Sequence, residues 1–468
     1  MAQKTIPSGA RRLAKTDYRN LMRRRIRRIL LICSSYDAYT LEEDGRLEVQ
    51  LNHEYMELNL SNPPSFTRVS SSTEALELLQ GENDFDLVIS MFNVGDLDVF
   101  HFSKQLKALH PEIPFVLLTN FSKDIYRRIE GEDRSAIDYI FSWHGNADLI
   151  LAIVKLIEDR MNADDDILGV GVQSILLVED SIRYYSTYLP AIYKLVLQQS
   201  AEFLKEALNE QQQMLRKRGR PKILLATNYE EAVMLYERYK RNLLGVISDV
   251  GFVLHKNDPA DSEKLDAGID LCRLIKSDDP HMPFLLQSSQ ESMRKTAEEL
   301  GVGFVVKYSK TLLIELSDYI SEEFAFGDFV FRDPGSGEVI GRARDLRDMQ
   351  RLVQEIPEEV LLYYTSRNRL SKWMYSRGLF RLAGSNPFPR AIFRRWTGSA
   401  SSLPKRLPNT ASYRGTAWSR ISTRRPITAT SGLPVSVRGR WGERPEDWPS
   451  STICCSVTTS TINTRESK

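Results

Sequence analysis

The stretch LLGVISD, Leu243–Asp249, is an apolar run that ends on a carboxylate, and three further runs of this kind occur in the chain. Ser174–Asp180 (SILLVED) ends on two acids, Pro283–Ser289 (PFLLQSS) on hydroxyls and Gly303–Lys307 (GFVVK) on a lysine. Continuous apolar runs this short are typical of buried parallel strands. Because the carboxyl ends of parallel strands meet at one edge of an open α/β sheet, we expect these polar groups to form a site there.

The same alternation of strands and helices occurs twice along the chain. The second unit adds the strand-like run Ile223–Ala226, and a break is expected in its long first helix at Pro190, because proline lacks an N–H donor. The first unit contains four strand-like runs, namely Ile29–Cys33, Phe85–Met91, Pro114–Thr119 and Asp138–Phe141. We therefore predict an α/β fold with two doubly wound, five-stranded parallel sheets of the flavodoxin-like kind, related as a diverged internal repeat.

Charge divides the chain unevenly. Residues 391–468 carry 13 Lys and Arg against 4 Asp and Glu, a net charge of +9 in a 468-residue chain whose total is +1. Residues 1–390 therefore hold 50 basic and 58 acidic groups, a net charge of −8. We divide the chain into a basic N-terminal segment (1–28), a first α/β unit (29–161), a linker (162–173), a second α/β unit (174–331), a helical connector (332–390) and a disordered tail (391–468).

The composition predicts a cytoplasmic protein. Hydrophobic residues make up 42% and charged residues 27% of the chain, as in ordinary soluble proteins. No apolar run approaches the roughly 20 residues of a membrane span, and the start MAQKTIPSGARRLAK lacks a secretory signal. The four cysteines show neither a disulfide framework nor a metal-binding spacing.

The second unit places acids and one base at a single predicted sheet edge. Glu179, Asp180 and Asp249 would repel one another there and need a cation, and their hard oxygen ligands suit Mg²⁺. Lys307 and Ser288 would supply a point charge and a hydroxyl that could hold a phosphoryl group on Asp249. The chemistry that this set implies is attack by a carboxylate on phosphorus, which gives an acyl phosphate.

These motifs, taken in order, resemble the response-regulator receiver domain. They are VED at Val178–Asp180, Asp249 after an apolar strand, Ser288 after PFLLQ and Lys307 after GFVV. The resemblance implies that Asp249 is the phosphoacceptor, that both acids of VED and Asp249 hold Mg²⁺, and that the backbone carbonyl of Gly251 is a further ligand. The implied phosphodonor is a histidine kinase, a phosphotransfer protein or a small acyl phosphate.

Two departures from the receiver pattern affect how a phosphorylated state would be sensed. Phe304 occupies the place of the family's switch aromatic, but Tyr308 stands where proline usually follows the lysine. The loop Val250–Asp266 is also longer than usual. A receiver fold that is kept as a scaffold, with an idle acidic pocket, is the alternative.

The first unit fits the fold but lacks the chemistry. Met91 falls where Asp249 does and Trp143 where Lys307 does, whereas Asp37 remains near the first strand end and Thr119 matches Ser288. Methionine cannot accept a phosphoryl group, and tryptophan offers only an indole N–H. We therefore expect a pseudo-receiver that serves packing or dimerisation, so that the protein would form a homodimer. A non-phosphate ligand at Ser34, Ser35 and Asp37 is the alternative.

The tail resembles a gene read out of frame. It lacks hydrophobic periodicity, is rich in Arg, Ser, Thr and Pro, and contains four tryptophans, which are rare in disordered segments. Back-translating Arg414–Thr452 in a shifted frame permits, among other readings, GEGSLGGKARGLAFI, which has the glycines and lysine of a phosphate-cradling loop. That loop, with the stretch from about Gly327 to Ala383, resembles the phosphoenolpyruvate synthase and pyruvate phosphate dikinase family. We therefore expect a frameshift near Pro389.

Three functions remain open from the sequence. The first is a non-catalytic signalling module that accepts a phosphoryl group on Asp249 and switches a downstream catalytic domain of its parent protein. The second is an ATP-dependent phosphotransferase of the phosphoenolpyruvate synthase type, whose catalytic domains this chain lacks. The third is nucleic-acid binding through the basic N-terminal segment or the basic tail.

Overall fold

The computed structural model describes residues 21–383, apart from short gaps at 38–46, 59, 61, 82–83, 121–122, 144–146, 206–212, 214–215, 257, 260–261, 368 and 380–382. The tail and its predicted frameshift lie outside these residues, as does most of the basic N-terminal segment. Within the described part of the chain, no helix is both long and apolar enough to cross a membrane.

The first α/β unit is built on a five-stranded parallel sheet in the order β2-β1-β3-β4-β5. Its strands are β1 Arg28–Ile32, β2 Ser65–Val69, β3 Leu87–Met91, β4 Phe115–Thr119 and β5 Tyr139–Ser142. Its helices are α1 Leu47–Glu57, α2 Ser72–Gln80, α3 Val99–Leu109, α4 Lys123–Gly131 and α5 Ala147–Ala163. A π-helix, Asp164–Val170, directly continues α5 inside the stretch that the sequence suggested as a linker.

The second α/β unit repeats this order as β7-β6-β8-β9-β10, again all parallel. Its strands are β6 Ser174–Val178, β7 Lys222–Ala226, β8 Leu243–Asp249, β9 Phe284–Ser288 and β10 Gly303–Val306. Its helices are α6 Ile182–Lys205, α7 Tyr229–Tyr239, α8 Ala267–Asp278, α9 Met293–Leu300 and α10 Leu312–Glu323. The predicted fold class, two flavodoxin-like five-stranded sheets, is confirmed.

One hydrophobic core extends through both units. Successive residues of a strand face opposite sides of a sheet. In β6, Ile175 and Leu177 therefore join the core that also contains the interior of the first unit, whereas Leu176 and Val178 join a second core on the other side of the sheet. The second sheet is consequently buried on both faces, which explains why its strands are continuous apolar runs.

Helix α6 is continuous through Pro190, so the break expected there is wrong. Tyr188, Leu189 and Ile192 are completely or almost completely buried around the proline. Burial of this kind routinely overrides local helix propensity. The loss of one intrahelical hydrogen bond at proline is offset by this packing.

The amino-terminal half of α6 also covers the edge of the first sheet. Tyr185 Oη donates to the backbone oxygen of Ile140 in β5, and the amide of Ser142 donates to Ser186 Oγ at 3.0 Å. An exposed edge strand presents unpaired backbone groups that invite pairing with other chains. Helix α6 of the second unit satisfies two of these groups in the first.

A buried ion cluster joins the two units and consists of Asp159, Asp166, Tyr193, Arg220 and Lys222. Both nitrogens of the Arg220 fork donate to the Asp159 carboxylate, at 2.9 and 2.8 Å, and Tyr193 Oη donates to it at 2.9 Å. Lys222 Nζ lies 2.7 Å from Asp166 Oδ2 and 3.6 Å from Asp159 Oδ1. Burial lowers the pKa of Lys222, against the pull of both acids. Each of these buried charges is therefore stabilised in the folded protein by its partners in the cluster.

The connector is a small folded segment with its own core. An antiparallel hairpin, β11 Phe329–Arg332 and β12 Val339–Ala343, precedes three helices. The helices are α11 Leu346–Glu355, α12 Glu358–Ser366 and α13 Arg369–Ser376. Trp373 is fully buried in this core and donates through Nε1 to the backbone oxygen of Gly327 at 3.1 Å. The sequence predicted helices at the positions of α11 and α13, but neither α12 nor the hairpin.

Candidate functional site

Three carboxylates meet at the carboxyl edge of the second sheet. β6 and β8 are neighbours, with Val178 paired to Ser248, so that Glu179 and Asp180 leave the sheet beside Asp249. Each of the three acids offers an oxygen, and these oxygens all lie within 4.8 Å of one another. In the order 2-1-3-4-5 this position, between the first and third strands, is the topological switch point where such sheets form their sites.

The amine of Lys307 joins two of these acids. Lys307 follows β10 and reaches across β9, so that Nζ contacts Asp249 Oδ2 and lies 3.0 and 2.8 Å from the two carboxylate oxygens of Glu179. Glu179 is completely buried, and the side chain of Asp249 is 13% exposed. The acidic pocket therefore holds one internal cation and opens to solvent at Asp249.

Backbone groups hold Asp180 and Asp249 in place. The amide of Val253 donates to Asp180 Oδ2 at 3.1 Å, and the amide of Val250 donates to Asp249 Oδ1 at 2.7 Å. The loop after β8 is anchored where helix α8 begins, because a Cβ at Gly268 would lie 1.9 Å from the backbone oxygen of Asp249. Only glycine allows this approach. The loop that contains Gly251 is thereby held beside the acids.

Ser288 lies on the same edge of the sheet but makes no direct contact with the acids among the described hydrogen bonds. It ends β9, between the strands that carry Asp249 and Lys307. Its Oγ accepts from the amide of Gln290 at 3.1 Å, and its backbone oxygen accepts from the amide of Lys307 at 2.9 Å. Its hydroxyl is thus oriented by its own loop.

Burial raises the pKa of all three acids. The pKa of Glu179 is raised well above its ordinary value by burial and then by the charge of Asp249, against the attraction of Lys307. Burial likewise raises the pKa of Asp249, which Lys307 opposes. Burial, followed by the charges of Glu263 and Asp249, raises the pKa of Asp180 to about 7. One ammonium does not balance three buried carboxylates.

The residues present fit a hard divalent cation. All the converging side-chain donors are carboxylate oxygens, which are the ligands that Mg²⁺ prefers. The raised pKa values indicate a deficit of positive charge that such an ion would remove. The same donor set contains no sulfur or imidazole ligand that would favour zinc.

The raised pKa of Asp180 predicts how the stability of the metal-free protein depends on pH. Its carboxyl group ionises near its ordinary value of 3.8 in the unfolded chain but at about 7 in the folded chain. Between these values only the folded chain holds the proton, so this stabilising contribution is lost as the pH rises. We expect a loss on the order of 4 kcal/mol over this range, from about 1.4 kcal/mol per pKa unit. Denaturant unfolding in the presence of a chelator should show it.

Asp180→Asn is the matched variant for this measurement. The amide does not titrate, so the decline in unfolding free energy between about pH 4 and pH 7 should be shallower than in the wild-type chain. Equal slopes for the two proteins would contradict the raised pKa of Asp180.

The corresponding edge of the first unit has the same backbone and different side chains. The amide of Trp143 donates to the backbone oxygen of Thr119 at 2.9 Å, just as Lys307 does to Ser288. Met91 and Trp143 are buried at this edge. Ser34 Oγ donates to Asp37 at 2.7 Å. The first unit therefore places no carboxylate or ammonium at the positions of Asp249 and Lys307.

Sequence reasoning named Tyr308 but missed Tyr184 and Tyr188 beside Lys307. The ring of Tyr184 lies 4.2 Å from Lys307 Nζ, stacks on Tyr188 at 5.9 Å and meets the edge of Tyr308 at 6.2 Å. A cation over an aromatic face is attracted to it. The signal was the i, i+4 spacing of Tyr184 and Tyr188 on the helix that follows the VED motif.

No protein-family model and no curated protein sequence matches this chain. Among solved structures, it is similar to a putative two-component system response regulator/GGDEF domain protein, with 14% identity and a TM-score of 0.27, over 63% of this chain and 98% of that one. A second, probable protein of that description has the same identity, TM-score and share of this chain, and 96% of its own length is covered. An adenylate cyclase from Rhodopirellula baltica shows 16% identity and a TM-score of 0.22, over 31% of this chain and 97% of that chain.

The fold is established by the strand order rather than by these alignments, whose TM-scores all lie below 0.5. Two five-stranded parallel sheets in the order 2-1-3-4-5, flanked by helices, fit receiver-like domains.

Proposed function

We propose that the second unit is a signalling module that accepts a phosphoryl group on Asp249 with the help of Mg²⁺. The observation that carries this proposal is the convergence of Glu179, Asp180, Asp249 and Lys307 in one pocket at the switch point of the sheet. Asp249 is the group best placed to react, because it lies at the end of its strand and is reached from solvent.

The proposed step is an in-line displacement at phosphorus. A carboxylate oxygen of Asp249 forms a bond to phosphorus while the bond from phosphorus to the donor's leaving atom breaks, and the leaving group takes the electron pair. With acetyl phosphate the leaving group departs as acetate, so no proton has to be transferred. The donor in the cell would be a histidine kinase, a phosphotransfer protein or a small acyl phosphate.

The residues of the pocket would have different roles in the phosphoryl transfer. Glu179, Asp180, Asp249 and the backbone carbonyl of Gly251 would hold Mg²⁺, which, when bound, supplies positive charge beside the transferring oxygens. Lys307 would favour the ionised, nucleophilic form of Asp249 and then stabilise charge on the phosphoryl group. The hydroxyl of Ser288 would sense the phosphoryl group from the neighbouring strand.

The first unit would act as a partner of this module and not as a second acceptor. Met91 in place of the acceptor carries no nucleophilic oxygen, and α6 packs directly on the edge strand of this unit. We propose that it serves packing or dimerisation, in a protein that works in the cytoplasm.

The intact protein from which the chain derives would couple this module to an enzyme. We propose that the connector leads, in the unshifted frame, into an ATP-dependent phosphotransferase domain of the phosphoenolpyruvate synthase type. The motif for it, GEGSLGGKARG, is one of the readings that a shifted frame of the tail permits. Nucleotide sequencing across the codons for Asn386–Phe393 tests this, and an uninterrupted frame with no insertion or deletion nearby would remove the proposal.

Chemical trapping of the acyl phosphate tests the acceptor directly. We expect the full chain, incubated with acetyl phosphate and Mg²⁺, to form an acyl phosphate that borohydride reduces at the modified aspartate, and peptide mapping should locate it at Asp249. A chelator should abolish the modification. Labelling at Asp180, or in the first unit at Asp37, would refute the assignment, as would equal labelling without Mg²⁺.

A further inference from the structure

A small cavity lies where the connector meets the second α/β unit, at the amino end of β9 and away from the acidic pocket. Its volume is about 80 Å³, and it is bounded by the segment before β9, the end of α10, β11 and the helices α12 and α13. A buried water occupies roughly 30 Å³ of liquid, whereas drug-sized ligands need roughly 300–1,000 Å³. The cavity therefore has room for one small ion or a few waters, and none for a nucleotide.

Lys372 lines this cavity and has no anionic partner. Within the described part of the chain its Nζ contacts no carboxylate, and the hydrogen-bond contact found for it is the thioether sulfur of Met282 at 3.9 Å. Its neighbour Arg369, by contrast, is paired with Glu323 at 2.6 Å. Arg369 therefore has a carboxylate as its counter-ion, whereas Lys372 has none among the described residues.

The charges that face Lys372 do not supply the missing anion. Burial lowers the pKa of Lys372 to about 8, an effect that Asp279 opposes and that Arg369 and Lys276 reinforce. Lys276 is itself held by the backbone oxygen of Met282 at 2.9 Å. Arg369 is balanced by Glu323, but a partly buried Lys372 ammonium beside the further cation Lys276 is unfavourable unless an anion joins it.

The rest of the lining combines aromatic walls with charged groups of both signs. The aromatic side chains Phe329, Tyr364 and Trp373 form walls of the cavity, and the indole N–H of Trp373 is already used by Gly327. Asp328, the residue directly before β11, pairs with Arg342 at 3.4 Å. Four cations, Arg332, Arg367, Arg369 and Lys372, and three carboxylates, Glu322, Glu323 and Asp328, line the cavity, so that its lining carries an excess of one positive charge.

We propose that this cavity is a binding site for a small oxyanion, with Lys372 Nζ as its main donor. The ligand is one phosphate-sized group with oxygen acceptors, either free or at the end of a larger molecule that stays outside. An anion held there joins α13 of the connector to the second α/β unit. The site does not depend on phosphorylation of Asp249.

Trace acylation of amines tests the site in the unmodified full chain. Inorganic phosphate is added at constant ionic strength, and the acetic anhydride labelling of Lys372 is compared with that of exposed Lys295 by peptide mapping. We expect phosphate to slow labelling of Lys372 about tenfold at saturation and to leave Lys295 unchanged, since a charge-assisted hydrogen bond contributes about 1.5–3 kcal/mol. Equal labelling of Lys372 with and without phosphate would overturn the proposal.

Variants separate this site from the acidic pocket. Lys372→Met should weaken phosphate binding, measured by calorimetry, about tenfold or more, whereas Lys372→Arg should retain most of it. Asp249→Asn should bind phosphate as the wild-type chain does. Loss of binding in Asp249→Asn, or wild-type binding in Lys372→Met, would place the phosphate elsewhere and refute the site. If Lys372→Met fails to fold, the protection experiment on the wild-type chain decides alone.

Discussion

Asp249→Asn is expected to abolish phosphoryl uptake and, at the same time, to stabilise the metal-free protein. The amide cannot form an acyl phosphate, so incorporation from acetyl phosphate should fall to background. The stability effect has the opposite sign because Asp249 and Glu179 compete for the single ammonium of Lys307 in a buried pocket. Burial raises the pKa of both acids, which means that their charged forms are disfavoured in the folded state.

The size of the gain can be bounded. An asparagine at position 249 has one acceptor oxygen, which can still accept from Lys307, and the amide of Val250 keeps the backbone oxygen of Gln287 at 3.0 Å as its acceptor, so neither donor is left without a partner. We expect the free energy of unfolding to rise by about 0.5–2 kcal/mol, as is common when strain at a functional site is relieved. Denaturant unfolding with a chelator measures it. A destabilised variant would show that the carboxylate of Asp249 is needed for the fold.

Asp159→Asn is expected to destabilise the protein by about 3–5 kcal/mol, because it removes one partner from a buried group of charges. The Asp159 carboxylate accepts both nitrogens of the Arg220 fork and the hydroxyl of Tyr193, and Lys222 lies 3.6 Å away. The amide has one acceptor oxygen and no charge. Arg220 would then be buried without a counter-ion, and urea unfolding of the full chain should show the loss.

Asp164→Asn is the matched control for this change. Asp164 lies five residues further along the chain and pairs with Arg238 at 2.7 Å, but both side chains are about half exposed. Exposed pairs contribute about 0–1 kcal/mol. Similar losses for Asp159→Asn and Asp164→Asn would mean that the buried ion cluster contributes little to stability.

The sequence was informative about the strands that are buried on both faces. β3, β4, β6 and β8 have no solvent-exposed face. Their sequences are therefore continuous apolar runs with recognisable ends. β2, SFTRV, is an edge strand with only Val69 buried, and it carries no such signal. The hairpin in the connector was missed for the same reason, since every residue of β12 before Ala343 is at least partly exposed.

Much of the candidate site could also be placed from the sequence, because strand ends are fixed by the fold. The proximity of Glu179, Asp180 and Asp249 follows from the adjacency of β6 and β8. The contact of Lys307 with Glu179 could not be predicted, since it depends on a side chain that crosses a whole strand. The position of Tyr184 over Lys307 could not be predicted either, because it depends on how α6 packs.

The placement of α6 has a mechanical consequence. This helix starts two residues after the acidic pair. Its Tyr184 lies against Lys307, and the next residue, Tyr185, donates a hydrogen bond to the edge strand of the first unit. One continuous helix therefore contacts both α/β units, whose sequences are diverged copies. A displacement of α6 at its contact with Lys307 would therefore also move its contact with β5, because both contacts are made by neighbouring residues of one helix.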